Sequence, residues 1–466
     1  MKTAAFATLG CKVNFYETEA LIDLFNRAGY AITDFNNPAD VYIINTCTVT
    51  HLSDRKCRQL IRRARRKSPQ AIIAVTGCYA QVFPQELAQI PEVNLMVGTH
   101  NRQEFPRLVE EASPGAKLEM VHPYEESPAF ERLSYRANRS RTRAFLKVQE
   151  GCEQYCNYCI VPLARGPARS APLEDVLVEA RHIAAAGYRE VVITGIRLGM
   201  YEDKAAGIKL GGLLKEIEKA APALERIRLS SLEPSDFDEE LVHIIASSQK
   251  ICPHLHIPLQ SGNDYILKKM NRPYNTREYR ELVQHLRQLM PHLALGTDVM
   301  VGFPGETAEH HRRSYEFLKE ISFSRLHVFR FSPRPGTAAA EMENPVDPLT
   351  REERWHEINA LGQQMARRYR EKFYGAEVKI LVEKANSDGH VNYLEGFTAH
   401  YLRARAVYDG PEAFPNRKGR EKPEAFREWK GHDGPEAPRD WKGRMALVKI
   451  ESVREEILEG KFLLEK

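Results

Sequence analysis

The sequence predicts a three-part α/β protein: a parallel α/β domain over residues 1–112, a partial (β/α)6 barrel over 138–373 and an all-β barrel over 374–466. Three observations lead there. β-branched runs alternate with helical patterns at the start, a second βα series fills the middle, and after a long charged helix the pattern changes to short strands. With 466 residues, 42% hydrophobic and 28% charged, the chain has apolar material for several cores and needs no disulfides.

AAFATL, VYIIN, AIIAVTG and VNLMVG read as strands of the first domain, and FYETEALIDLFNRAG as a helix. Residues 113–137, rich in Pro, Ser and charge with weak periodicity, read as a linker. RAFLKVQ, EVVITG, RIRLSS, HLHIP, LGTDVMV and LHVFRF are the middle strands, with helical patterns such as LEDVLVEARHIAAAG and REYRELVQHLRQL between them. Six such units fall short of a closed eightfold barrel. A charged helix near 348–373 leads to EVKILVE, YLEGFTAHY, RARAVY and MALVKIESV, a small barrel of oligonucleotide-binding style. Within it, at about 409–444, a 12-residue repeat places Pro411, Pro423 and Pro435 in PEA triplets and Lys418, Lys430 and Lys442 before glycine. The repeat is too polar for a solenoid and reads as a disordered loop insertion; Trp429 and Trp441 stacking on bases is the alternative.

No run approaches the roughly 18 apolar residues of a membrane span, and the first apolar stretch is broken by Cys11 and Lys12. A cytoplasmic protein without a membrane partner is expected. Eight cysteines in a reducing compartment favour ligand or redox roles over disulfides. A net charge of +4 permits a polyanionic partner without requiring one.

Cys152, Cys156 and Cys159 form CxxxCxxC directly after AFLKVQ, so three thiolates share one loop at the carboxyl end of the first barrel strand, the face that holds barrel active sites. A structural zinc site asks for four ligands, and no second CxxC or Cys/His pair stands near. Three thiolates suit a [4Fe-4S] cluster with one iron free of protein ligands. That iron can chelate the amino and carboxylate groups of S-adenosylmethionine and pass an electron to its sulfonium, giving a 5′-deoxyadenosyl radical. Cys11 follows the first strand, Cys47 ends VYIINTC and Cys78 ends AIIAVTGC. In a parallel sheet all three emerge at the carboxyl edge, where such folds place ligands. They are candidates for a second three-ligand cluster with an iron open to a sulfur species, with buried strand-end cysteines as the alternative. Cys57, on a helical stripe with Leu60, Ile61 and Ala64, and the partnerless Cys252 read as packing residues.

NTCTVT, GCEQYCNYCIVPLARGPARS, HIPLQSGNDYILKKMNRPY and TDVMVGFPGET together resemble the radical-SAM methylthiotransferases, over essentially the whole chain. The resemblance implies an amino-terminal cluster domain, a radical-SAM core and a carboxy-terminal TRAM domain, with two [4Fe-4S] clusters on the six cysteines and S-adenosylmethionine as cofactor. NTCTVT and QEGCEQYCNYCIVPLARG look most like the branch that methylthiolates N6-threonylcarbamoyladenosine beside the tRNA anticodon. In that family one S-adenosylmethionine would methylate sulfur on the amino-terminal cluster and a second would be cleaved at the central one. The electron donor and sulfur source lie outside the chain. A ribosomal-protein aspartate, another modified adenosine, or a noncatalytic iron-sulfur RNA-binding role are the alternatives. The repeat departs from the compact barrel expected of a TRAM domain.

Around the central trio, Tyr158 is a candidate for packing on the cofactor adenine, against a plain loop aromatic. Gly195 is a candidate for close approach of the methionine end. Glu233, Gln260 and Asp298 near strand ends are candidates for its polar groups, with helix capping as the alternative for each. GFPGET, from Gly302 to Thr307, reads as a strand-to-helix turn; no GK[ST] follows, so it is no phosphate loop. RNA has three candidate surfaces: Arg58, Arg62, Arg63, Arg65, Arg66 and Lys67 on the helix after Cys47, the ANRSRTR segment, and the last barrel. A solvated helix face is the alternative for the first.

Overall fold

The computed structural model describes residues 1–124, 129–133, 141–387, 392–408 and 441–463. In the first domain Val41–Thr46 and Ile72–Gly77 are buried at every position, as central strands of a parallel sheet covered on both faces must be. The sheet runs Ala31–Thr33, Thr3–Thr8, Val41–Thr46, Ile72–Gly77, Leu95–Val97, Leu118–Met120, all parallel. Leu118–Met120 lies in the segment read as a linker. Three residues are too few for a period-2 pattern, so only pairing with Leu95–Val97 reveals the strand. Helix Lys12–Arg27 buries Leu21 and Phe25 against one face, and helix His51–Lys67 buries Cys57, Ile61 and Ala64 against the other.

The core has six parallel strands in chain order: Ala144–Glu150, Glu190–Gly195, Arg226–Leu229, His254–His256, Ala294–Val301 and Arg325–Arg330. The two halves meet at Ile227 and Ile251, leaving an open barrel around one large apolar cluster. The GFPGET turn leads into helix Ala308–Ile321, capped by the Thr307 side chain. Helix Pro348–Glu371 packs on the last strand, Trp355 Nε1 donating to the Val328 carbonyl at 3.0 Å.

The last domain is a closed barrel of Glu377–Ser387, Asn392–Thr398, Arg403–Tyr408, Ile457–Leu463 and Met445–Arg454. Ile457–Leu463 escapes sequence reading because Glu459, Gly460 and Lys461 interrupt its apolar alternation. Most of the 12-residue repeat, Trp429 included, lies outside the described residues. Trp441 lies within them, half-buried, and packs edge-on against Phe462, centroids 5.1 Å apart, at the margin of the barrel core. The barrel sits on the core through Arg226, which donates to the carbonyls of Lys379 (2.6 Å) and Phe397 (3.0 Å), and Arg228, which donates to those of Ala399 (2.9 Å) and Thr398 (3.2 Å). Glu190 lies buried between these guanidinium groups. Among the described residues no helix is long and apolar enough to cross a membrane.

Candidate functional site

Cys11, Cys47 and Cys78 stand at the carboxyl ends of three adjacent strands, and strand order reverses between the first two, which is where open α/β sheets form their crevice. Gly10, at φ +115°, turns the chain before Cys11; a Cβ there would lie 2.8 Å from that of Cys47, so the two loops meet closely. Asn14 fastens them. Its Nδ2 donates to the carbonyls of Leu9 (2.9 Å) and Thr46 (2.8 Å), and its Oδ1 accepts from Cys11 Sγ (3.4 Å) and Arg165 Nη2 (2.8 Å). Burial, then Cys78 and Cys11, push the Cys47 thiol up to about 12. Burial raises Cys78 as well, against the pull of Arg165, whose Nε donates to Cys78 Sγ at 3.2 Å. Cys47 and Cys78 are buried and Cys11 is exposed, and two buried thiols, the second raising the first, suit a positively charged group that takes them as thiolates. Among the described residues no three His, Cys, Asp or Glu side chains converge as they would around a single ion, whereas a cubane spreads its thiolates over separate irons.

Cys152, Cys156 and Cys159 line the loop after Ala144–Glu150. The Cys152 N–H donates to the Gly166 carbonyl (3.0 Å) and that of Cys159 to the Cys156 carbonyl (2.9 Å). Asn157 anchors the loop through its side chain to the Lys269 carbonyl (2.8 Å) and its backbone N–H to that of Met270 (3.1 Å). Arg272 Nη1 donates to Cys156 Sγ at 3.1 Å, Nε donates to the Tyr274 hydroxyl at 2.9 Å, and Nη2 pairs with Glu233. Burial, then Cys156, lift Cys159 to about 12. Each trio thus has a buried arginine on one of its sulfurs.

Residues 3–98 match the uncharacterized protein family UPF0004, and residues 146–318 the radical SAM superfamily. The threonylcarbamoyladenosine tRNA methylthiotransferase MtaB of Bacillus subtilis is 43% identical over 417 residues, 88% of this chain and 91% of the relative. This chain belongs to the radical-SAM methylthiotransferase family. The MtaB of Aquifex aeolicus is 41% identical over 84% of this chain and 95% of its own length. The tRNA-2-methylthio-N(6)-dimethylallyladenosine synthase of Oceanobacillus iheyensis is 34% identical over 84% of this chain and 76% of the relative. In fold, the chain is similar to the radical S-adenosylmethionine methyltransferase TsrM of Kitasatospora setae, with a TM-score of 0.54, 17% identity and coverage of 73% and 77%. Membership makes the protein an enzyme, brings S-adenosylmethionine and a [4Fe-4S] cluster with it, and sets aside the noncatalytic alternative.

In this methylthiotransferase Tyr158 packs beside Ile266, Met270 and Phe303, its hydroxyl 3.4 Å from Arg272 Nη1. Glu233 follows the strand Arg226–Leu229, caps the short turn Pro234–Asp236 and pairs with Arg272. Gln260 adopts φ +68°, its backbone N–H and C=O paired with the carbonyl of Asp298 and the N–H of Met300, both at 2.8 Å. Gly195 ends the strand Glu190–Gly195 as expected, whereas Asp298 departs from its expected place. A Cβ on Gly195 would stand 2.9 Å from Gln149 Cβ, so the neighbouring strand itself demands glycine there. Asp298 lies in mid-strand, with His256 Nε2 at 3.1 Å and His327 Nδ1 at 3.7 Å, so it is neither at a strand end nor a helix cap.

On helix His51–Lys67, Arg62 and Arg66 are exposed, while Arg58 donates to the Tyr79 hydroxyl at 2.8 Å and Arg63 to Asn36. Arg65 is a brace: it donates to the carbonyls of Pro69 (2.7 Å), Ala71 (2.9 Å) and Glu92 (2.8 Å) and to Asn94 Oδ1 (2.8 Å), so it leaves the set of RNA candidates. Asn14, Arg165 and Arg272 went unmarked in the sequence. Arg165 and Arg272 lie within the family motifs, but their sulfur partners are 87 and 116 residues away.

Proposed function

We propose that this methylthiotransferase replaces the C2 hydrogen of N6-threonylcarbamoyladenosine, next to the anticodon of tRNA, with a methylthio group, using two S-adenosylmethionine molecules and two [4Fe-4S] clusters. The 43% identity with the B. subtilis enzyme, whose name specifies that nucleoside in tRNA, carries this choice. The relative named for the dimethylallyl nucleoside stands at 34%. An adenine C2–H is neither acidic nor open to polar substitution, so the exchange calls for radical chemistry. Cys152, Cys156 and Cys159 hold the central cluster, and Cys11, Cys47 and Cys78 the amino-terminal one. When bound, the first supplies the electron that cleaves S-adenosylmethionine and the second a place for the sulfur in transit.

The chain's own residues do the rest. Arg272 and Arg165 each offset thiolate charge in a buried site. Glu233 holds Arg272 against the cysteine loop, Tyr158 stands beside Arg272 within that loop, and Gln260 is a candidate for the cofactor's polar groups. Arg62 and Arg66 meet the phosphates of the anticodon arm. Electron donor and sulfur source are other cytoplasmic components. Nucleoside analysis of tRNA from a strain lacking the gene is the test: loss of 2-methylthio-N6-threonylcarbamoyladenosine, restored by the wild-type gene, is expected. An unchanged nucleoside profile would overturn the assignment, and loss of a methylthiolated ribosomal aspartate would replace it.

A further inference from the structure

We propose that Arg165 is a positioning residue of the amino-terminal cluster, its guanidinium donating to Cys78 Sγ and thereby setting that cluster's reduction potential. The inference rests on Cys11, Cys47 and Cys78 being ligands. Arg165 is 0% exposed and all five of its N–H groups are committed. Nε donates to Cys78 Sγ at 3.2 Å; Nη1 donates to Glu150 Oε1 at 2.7 Å and pairs with Glu17; Nη2 donates to Asn14 Oδ1 at 2.8 Å and Glu17 Oε2 at 3.1 Å. A planar fork held on its other four donors cannot turn Nε away from the sulfur.

The surroundings match a thiolate. Among the described residues the buried cations Arg102, Lys147, Arg165 and Arg169 face three carboxylates, Glu17, Glu131 and Glu150, in one connected network. The network as a whole carries one positive charge in excess, and Arg165 is its member on Cys78. A hydrogen bond and a net positive charge at a cluster sulfur favour the reduced state, more strongly where water is excluded. Arg165 also ends the short helix Val161–Arg165 that follows Cys159, and Gly166 accepts from the Cys152 N–H. One peptide therefore carries the central cysteines and reaches the amino-terminal ones.

The test uses the full chain with Cys152, Cys156 and Cys159 changed to Ala, reconstituted with iron and sulfide, so that only the amino-terminal cluster reports. In an EPR-monitored redox titration, Arg165→Gln should raise the oxidised-to-reduced ratio at a fixed poise at least tenfold, about 59 mV for one electron, and Arg165→Lys should recover part of the shift. A folded Arg165→Gln protein with about four irons and an unchanged potential would overturn the proposal. If Arg165→Gln does not fold, 15N-arginine labelling of the Arg165 protein decides: a 15N coupling to the reduced cluster supports the hydrogen bond, and none refutes it. Failure of the Arg165 protein itself to bind iron would refute the ligand reading beneath, and the proposal with it.

Discussion

Cys57 packs fully buried beside Ile61 and Ala64, whereas Cys78, also buried, meets a guanidinium. The two thiols differ in partners, and partners decide what a cysteine can do. Reconstituted Cys57→Ala and Cys252→Ala proteins should keep about eight irons per chain, and Ala at any of Cys11, Cys47, Cys78, Cys152, Cys156 or Cys159 should remove about four. Colorimetric iron and sulfide assays check this; a full complement in Cys78→Ala would contradict it. The central trio was legible because its ligands share one loop. Asp298 was misplaced because a strand's residues look alike in sequence whether they lie at its middle or its end.

At the scale of elements, helix His51–Lys67 shows a basic run serving two ends. Arg65 ties the helix to two loops, at Pro69 and Ala71 and at Glu92 and Asn94, while Arg62 and Arg66 face solvent. Changing Arg62 and Arg66 to Ala should lower the salt slope of tRNA binding by about two, one per phosphate contact; Arg65→Ala should leave the slope alone and lower the thermal midpoint. Filter binding across a salt series separates the two effects. In the last barrel, burial, then His292, Arg226 and Arg228, lower His400 from 6.5 to about 4. The unfolded chain therefore takes up a proton that the folded one refuses. Stability is full above about 6.5 and falls as the pH drops toward about 4, with about 2.5 kcal/mol lost by pH 4.5. His400→Phe, which keeps an aromatic against Phe373, should flatten that part of the profile in denaturant titrations at pH 7.5 and 4.5.

Over the whole molecule, arginines of the core hold the first domain in place. Arg165 enters the Glu17 network, and Arg334 donates to Asp54 Oδ2 at 2.7 Å and Thr48 Oγ1 at 2.6 Å, beside Cys47. Breaking such a buried pair costs about 3 kcal/mol, since the partner's charge stays buried. Arg334→Met should therefore speed amide exchange in His51–Lys67 and leave Ala294–Val301 unchanged; equal acceleration in both would show global destabilisation instead of a loosened interface. NTCTVT is partly explained by this contact, because Thr48 and Asp54 form the socket for Arg334.

The sequence by itself determined the layered architecture and both sets of strand-end cysteines, because periodicity and a three-residue spacing are local properties of the chain. Tertiary structure alone decided the sixth strand of the first sheet, the fifth strand of the last barrel, the bracing role of Arg65 and the guanidinium on each sulfur trio. A hydrogen bond from Arg165 to Cys78 joins residues on two domains. No window of sequence contains both, and only packing of the core on the first sheet brings them within 3.2 Å.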